Sequence, residues 1–149
     1  MKGCAGYFAV IILLLAGIAS AAQPTDADLQ KVALRYLGVH AHLLALKQSE
    51  CAMGVTAPPK SYEDLLDGEI LPAFAATVRV ERRRPFMYLK PGLIAGADEY
   101  IKKSLEETAK SGALSKDFRC GYVTGLITEA LQQTRKAWRE LVVMTGAAG

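Results

Sequence analysis

The amino-acid sequence predicts an all-α protein: a four-helix up-down bundle with one disulfide, following a cleaved signal peptide. Apolar residues recur at helical spacing along four segments of the chain, and mostly short links separate these segments. Two cysteines stand near the end of the first segment and near the start of the fourth. An up-down bundle brings those two ends to the same pole, so the cysteine positions and the topology agree.

The N-terminal stretch, 1–22, has the pattern of a leader for export. Lys2 gives a positive start, residues 7–15 form an apolar run, and small residues at 19–22 offer a signal-peptidase site. The run is short for a membrane span and no basic flank follows it, so cleavage is favoured over anchoring. We therefore predict a signal peptide, no stable membrane anchor after cleavage, and a periplasmic or secreted protein.

The rest of the chain, 23–149, has the length of a single helical domain. The formal net charge of the whole chain is +3, and Lys2 supplies one of these charges, so the mature protein is close to neutral. This balance gives no support to nucleic-acid binding or to a membrane-surface role.

Three cysteines are present, and Cys4 leaves with the leader. Cys51 and Cys120 remain, and in an exported protein a disulfide between them is favoured over a reactive thiol beside His40. The bond would close a long loop, which is worth about 4 kcal/mol in the chain-entropy model. No spacing typical of a metal site or of haem attachment accompanies these cysteines, so neither a metal nor a cofactor is predicted.

The first helix is predicted to begin at Thr25, whose spacing to Asp28 is that of a capping box, and to end near Gly54. His42 falls on its polar side. The apolar arc of this helix contains Leu29, Val32, Ala33, Tyr36, Leu37, His40, Leu43, Leu44 and Cys51.

The second segment opens on another start signal, Ser61 followed by Asp64. Gly68 and Pro72 predict an interruption, because proline clashes with the preceding helical turn. We therefore expect a short helix near 62–67 and a further helix that begins at Pro72 or at the residue before it.

The run 77–81 alternates in polarity like a strand, but a single strand would have no partner, so helix is favoured. Residues 86–89 are expected to form a packed apolar connector. Pro91 is then expected to open the third helix, since proline suits a first helical position.

The third helix is expected to end at Gly112, and Ser115 to cap a fourth and longest helix that ends at Gly146. The third helix has its own continuous apolar face. The apolar arc of the fourth contains Cys120, Val123, Ile127, Ala130, Leu131, Thr134, Ala137, Trp138 and Leu141.

His40 is the residue of the apolar arcs that would suit a base or a ligand. A histidine in such a position is more often a core residue with a hydrogen-bonded ring, and that interpretation is favoured. His42 points away from it, so the two cannot hold a metal together. An envelope enzyme that uses His40 with a nearby acid stays an alternative, and so does a structural or stress-related envelope protein.

A dense basic cluster is formed by Arg79, Arg82, Arg83 and Arg84, and an acidic cluster lies upstream at 63–69. A solvated surface is the favoured interpretation, since exposed ion pairs contribute only about 0–1 kcal/mol. The arginines nevertheless remain candidates for the edge of an interface, because a guanidinium can fork onto a partner's carboxylate.

Gly121 and Gly125 lie one turn apart in the predicted fourth helix and away from its apolar arc, and the third helix carries a similar pair. Each glycine costs a helix interior about 1 kcal/mol relative to alanine. Something is therefore expected to approach this shallow backbone surface: the connector 86–89 is favoured, and a partner is the alternative. Tyr122 and Glu129 flank the same side and keep the partner alternative open.

The hexapeptide Cys-Gly-Tyr-Val-Thr-Gly at 120–125, together with Cys51, resembles an element of the Rap/Tai immunity proteins. Members of that group are periplasmic, helical and disulfide-bonded, and they neutralise peptidoglycan amidase effectors of type VI secretion by direct binding. The resemblance implies structural roles for Gly121, Tyr122 and Gly125, and a disulfide between the two cysteines. It identifies no residue that contacts an effector.

We therefore predict a non-catalytic, exported module that binds a protein partner, with an immunity-type inhibitor as its most concrete form; a homo-oligomer is also open. The candidate partner surface consists of Gly121, Tyr122, Gly125, Glu129, Arg79, Arg82 and Arg83.

Overall fold

A computed structural model of the chain describes residues 24–52, 60–77, 84–112 and 115–146. The predicted leader, 1–22, lies outside the described residues. The described part is all-α, as predicted, and contains no strand. Its helices are α1 (Asp26–Gln48), α2 (Tyr62–Leu65), α3 (Leu71–Thr77), α4 (Arg84–Lys110) and α5 (Lys116–Met144).

The predicted start of α1 is confirmed by a complete capping box. The Thr25 hydroxyl accepts a hydrogen bond from the Asp28 backbone N–H at 3.3 Å, and the Asp28 carboxylate accepts one from the Thr25 backbone N–H at 2.9 Å. These contacts satisfy two backbone donors that helix geometry leaves without partners.

α1 ends at Gln48, before the predicted end near Gly54. The Ser49 side chain causes the early end, because its hydroxyl donates to the Leu46 carbonyl at 2.7 Å and accepts from the Cys51 backbone N–H at 3.1 Å. The chain leaves the helix at this serine, and Cys51 is buried just beyond it. Residue 54 itself lies outside the described residues.

The α-helix of the second segment is interrupted after Leu65, and a further α-helix begins at Leu71, as predicted. A π turn, Leu66–Ile70, joins α2 to α3, and the Leu71 backbone N–H donates to the Leu66 carbonyl five residues back. Such a turn is wider than an α turn, and it contains Gly68, four residues before Pro72, whose carbonyl would meet the proline ring in an ordinary helix. The predicted cap is confirmed, because the Ser61 hydroxyl accepts from the Asp64 backbone N–H at 3.0 Å.

The third long helix begins at Arg84, not at Pro91 as predicted. Pro85 stands in its first turn, where a backbone donor is not needed. The predicted connector, 86–89, therefore forms the first turns of α4. Pro91 removes a donor from the helix interior, and the residue four positions earlier, Met87, is exposed.

An aromatic cluster explains why α4 extends so far towards its N-terminus. Phe86 is fully buried, and its ring lies 5.0 Å from that of Phe74 on α3. Phe74 also contacts Trp138 of α5 at 6.4 Å, and Trp138 stacks on Tyr36 of α1 at 5.9 Å. Burial of two phenylalanines is worth several kcal/mol, which exceeds the cost of one internal proline.

The remaining helix ends were predicted correctly. Gly112 follows α4 with a φ of +88°, a conformation that glycine adopts without strain. The Ser115 hydroxyl accepts from the Phe118 backbone N–H at 3.2 Å and caps α5, and Gly146 follows its end with a φ of +68°. None of the described helices combines the length and the apolar character needed to cross a membrane.

Candidate functional site

The two cysteines of the described chain lie together, as predicted. Cys51 and Cys120 have Cα atoms 5.1 Å apart and sulfurs at disulfide distance. The Glu50 carboxylate lies beside them, with the Lys116 ammonium and the Arg119 guanidinium each 3.9 Å away. Glu50 and the two sulfurs form a compact group, but sulfurs joined to each other offer no thiolate to a metal.

The N-terminal half of α5 presents an exposed apolar stripe to solvent. Phe118, Tyr122 and Leu126 follow one another at four-residue spacing, and Tyr122 is 54% exposed. Tyr100 of α4 is also exposed and lines, with Tyr122 and Leu126, a shallow cavity of about 130 Å³ between the two helices. We call this surface the α4–α5 face.

The predicted glycine pair belongs to the α4–α5 face. Gly121 and Gly125 are exposed, and a Cβ atom built on either would meet no neighbouring atom within 4 Å. The favoured expectation, that residues 86–89 pack over these glycines, was therefore wrong, because Phe86 packs into the aromatic cluster instead. Glu129 is exposed on the same helix, where its carboxylate accepts from the Gln133 side-chain amide at 3.1 Å.

The predicted basic cluster contributes nothing to the described site. Arg79, Arg82 and Arg83 lie outside the described residues, and of Arg84 only the backbone, as the first residue of α4, is described.

His40 is a packed core residue in the described structure. It is 0% exposed, and its Nδ1 lies 3.1 Å from the Tyr36 carbonyl, which places the proton on Nδ1 because a carbonyl only accepts. Its Nε2 has no hydrogen-bond partner among the described residues. Burial lowers the pKa of His40, so the ring is neutral near pH 7. His40 lines none of the described cavities.

His42 lies off the main core, as predicted, but its ring makes two specific contacts. Its ring meets the ring of Tyr100 edge-to-face at 4.8 Å, and its Nδ1 donates to the Gly38 carbonyl at 2.7 Å. His42 therefore connects α1 to the helix that carries one wall of the α4–α5 face.

A second concave surface was missed by the sequence analysis. It is a groove of about 600 Å³ at the opposite part of α5, and we call it the basic groove. Segments far apart in sequence line it: Tyr36, Lys60, Glu69, Arg135, Trp138, Arg139, Val142 and Val143.

Glu69 is held firmly at the edge of the basic groove. Its carboxylate accepts a hydrogen bond from the Tyr36 hydroxyl at 2.9 Å and forms an ion pair with Lys60. Burial opposes ionisation of this carboxyl, but the contacts with Lys60 and Tyr36 prevail and lower the pKa of Glu69. Burial and the bond to Glu69 raise the pKa of Tyr36. The groove thus contains an ionised carboxylate and a protonated phenol, which suits binding better than proton transfer.

Two sequence signals point to the basic groove once its geometry is known. Arg135 and Arg139 lie one turn apart on α5, and no acidic residue stands three or four positions from either. Glu69 belongs to the π turn, and such turns are frequent at functional sites. Neither signal alone shows that the two regions meet.

Comparison with protein-family models, with curated proteins and with solved structures found no match for this chain.

Proposed function

We propose that this protein is an exported helical module that binds a protein partner through the α4–α5 face, most concretely as an immunity-type inhibitor. The observation that carries the proposal is the exposed apolar stripe of Phe118, Tyr122 and Leu126 beside the bare backbone of Gly121 and Gly125. Adjoining exposed apolar side chains of this kind mark interaction sites more often than free surface.

The cavity of the α4–α5 face suggests the chemistry of the partner. Apolar and aromatic side chains, among them Tyr100, Leu126 and Ile127, line part of it, and Ser104, Thr108 and the charged Glu107 add polar groups. A protruding partner side chain with an apolar body and a donor at its tip fits this arrangement. Tyrosine, tryptophan and arginine have that character and dominate binding energy in protein interfaces.

Export is part of the proposal. The leader pattern at 1–22 supports it, and so does the disulfide-distance pair of Cys51 and Cys120, because disulfides persist in oxidising compartments. The resemblance of residues 120–125 to an element of the Rap/Tai immunity proteins supports the inhibitor version, since the same residues lie in the α4–α5 face.

An up-down arrangement of the helices is also proposed. Two contacts support opposite directions for α1 and α5: Cys51, just past the end of α1, meets Cys120 near the start of α5, and Tyr36 stacks on Trp138 nearer the end of α5. In such an arrangement the disulfide would anchor the pole next to the α4–α5 face.

A binding function is favoured over an enzyme in which His40 is the catalytic base, because of the surroundings of His40. A general base must reach the proton that it abstracts, yet His40 is fully buried. The Glu69 carboxylate bonds to the Tyr36 hydroxyl, and the His40 Nδ1 bonds to the Tyr36 backbone carbonyl instead.

A capture experiment tests the proposal. The mature protein, immobilised with its disulfide intact, is exposed to periplasmic extract, and any captured protein is purified and titrated against the wild type and two tyrosine variants. Tyr122→Ala should weaken binding at least about tenfold, since buried interface tyrosines are frequent hot spots. Tyr88→Ala is the matched control, because Tyr88 is 81% exposed on α4 and lies outside the face.

The oligomeric state is measured first by light scattering of the purified mature protein. A monomer that binds a captured protein in a Tyr122-dependent manner supports the proposal. A dimer that Tyr122→Ala dissociates would replace the partner by a second copy of this chain. Equal binding by the two tyrosine variants would remove the α4–α5 face as the site.

A further inference from the structure

We propose that the basic groove is a second binding site, which takes a peptide segment with a free carboxylate next to apolar side chains. It is distinct from the α4–α5 face. Trp138 and Tyr122 are sixteen residues apart on α5, which corresponds to about 24 Å along the helix. Their positions also differ by roughly 160° around its axis at 100° per residue.

The charges of the basic groove are unbalanced. Lys60, Arg135 and Arg139 supply three cations against the single carboxylate of Glu69, which leaves a net charge of +2. Lys60 already forms an ion pair with Glu69. Among the described residues, no acid lies within ion-pair distance of either arginine.

The spacing of the two arginines makes that imbalance mildly destabilising. Arg135 and Arg139 are four residues apart, so their side chains are neighbours on the surface of α5 and repel each other. The arrangement therefore lacks an anion. A guanidinium presents parallel N–H donors that match the two oxygens of a carboxylate, so one carboxylate between the arginines would offset the repulsion.

The other walls of the basic groove indicate which groups a ligand needs besides its negative charge. Val142 and Val143 provide an apolar surface beside Arg139, and Trp138, only 5% exposed, forms part of the lining. Each oxygen of Glu69 has a second lone pair that can accept a peptide N–H. A matching ligand has a carboxylate at one end, apolar side chains in the middle and an N–H donor that faces Glu69. An extended peptide has these three features.

The same arrangement favours a carboxylate over a phosphate. Glu69 keeps its negative charge within the groove, because Lys60 and Tyr36 both hold its carboxylate. A phosphate has no N–H to donate to Glu69 and would leave the apolar wall of Val142 and Val143 uncovered, whereas an apolar peptide would bury that wall.

Trp138 provides the readout, because it is the single tryptophan of the chain. The mature, disulfide-bonded protein is titrated at low ionic strength with acetyl-Ala-Leu-Leu that ends in a free carboxylate, and with the same peptide ending in an amide. Tryptophan fluorescence should report saturable binding of the carboxylate peptide. The amide should bind at least about tenfold more weakly, as expected for the loss of charge-assisted hydrogen bonds.

Three variants assign the effect to the arginines. Arg135→Gln and Arg139→Gln should each weaken binding of the carboxylate peptide about tenfold and leave binding of the amide unchanged. Lys136→Gln is the matched control, because Lys136 is an exposed neighbour that faces Glu140 at 4.0 Å and lies outside the groove lining. It should change affinity less than about twofold. All three positions are exposed, and circular dichroism checks that each variant folds.

Inorganic phosphate forms a further arm of the experiment. Phosphate binding that the arginine variants weaken, without binding of the peptide, would overturn the peptide proposal in favour of a phosphate site. Equal binding of the carboxylate and amide peptides, or an equal loss in the Lys136→Gln variant, would overturn a carboxylate site. Because the α4–α5 face lies elsewhere on α5, these results are independent of the Tyr122→Ala experiment.

Discussion

Replacing Gly125 by alanine should stabilise the folded protein. In the interior of a helix, alanine is favoured over glycine by about 1 kcal/mol, because glycine loses more backbone freedom on folding. That gain appears only where the added methyl group fits. A Cβ atom at position 125 meets nothing within 4 Å beyond its own helix, so no steric cost opposes the gain.

The expected size of the effect can be measured by thermal unfolding. For a domain of this length, 1 kcal/mol corresponds to a rise in Tm of about 3–5 °C. Gly121 has equally open surroundings, so Gly121→Ala should give a similar rise. The double variant should gain about 2 kcal/mol, since the two methyl groups would touch neither each other nor any other part of the described chain.

Gly112 provides the contrast within the same protein. Its φ of +88° is a conformation that residues with a Cβ rarely adopt, so Gly112→Ala should lower stability by about 1 kcal/mol or more. Circular dichroism during heating, followed by urea titration at one temperature, gives both quantities. If Gly125→Ala lowered Tm, another part of the chain would have to cover the glycine, and the α4–α5 face would not be an open surface.

Binding by the two stabilised glycine variants tests whether a partner approaches the helix backbone. A partner that approaches the backbone of Gly121 and Gly125 should bind the stabilised variants more weakly, because the methyl groups keep it at a distance. If both variants are more stable and bind a captured partner as well as the wild type does, the glycines play no part in recognition.

Four further predictions concern the rest of the molecule. Reduction of the bond between Cys51 and Cys120, which are 69 positions apart, should lower stability by about 4 kcal/mol, and a double cysteine-to-alanine variant should be insensitive to reductant in the same melting experiment. Burial lowers the pKa of His40 in the folded state, so the unfolded state binds a proton first as the pH falls. The free energy of unfolding should therefore be at its full value above about pH 6.5 and decrease below it. Urea titrations of the His40→Gln variant should show a weaker decrease. His42→Ala should cost about 1 kcal/mol through its contact with Tyr100, whereas no measurable cost would mean that this contact is not maintained in solution. Mass spectrometry of the expressed protein should find an N-terminus at Ala22 or Gln23, and an intact Met1 in the membrane fraction would contradict cleavage.

The pKa of His40 also depends on charged groups that face its ring from several elements. Glu69 of the π turn favours its protonated form, while Arg135 of α5 and Lys60 oppose it. Burial outweighs these effects. Glu69→Gln should therefore lower the pKa of His40 further, and the loss of stability in acid should then extend to a lower pH.

Local chemistry explains which parts of the fold the sequence predicted. The cap at Thr25, the cap at Ser115 and the stop at Gly112 depend on hydrogen bonds or dihedral angles within a few residues, so the residue type alone indicates them. The buried arc of α1 follows from apolar spacing in the same way, and it correctly placed His40 inside the core.

One proline was the main source of error, because its effect depends on distant contacts. Pro91 should disrupt a helix when considered alone. In the folded chain the burial of Phe86 against Phe74 maintains the turns before it, and those two residues are on different helices. Before Pro72 the interruption of the α-helix was predicted, but its form, a π turn, was not, because nothing in the local sequence distinguishes a π turn from a break.

The sequence by itself determined the helical class and most helix caps, because periodicity and short-range hydrogen bonds suffice for them. It also predicted the pairing of Cys51 with Cys120, because Cys4 lies in the predicted leader and the other two cysteines fall at helix ends that meet in an up-down bundle. Only the tertiary structure decided that Glu69, Tyr36 and Arg139 share a groove and that Gly125 stays uncovered. Apolar spacing shows that a helix face is buried, but not which helix covers it. The neighbours of a surface residue follow from how all the helices pack together, which no single segment specifies.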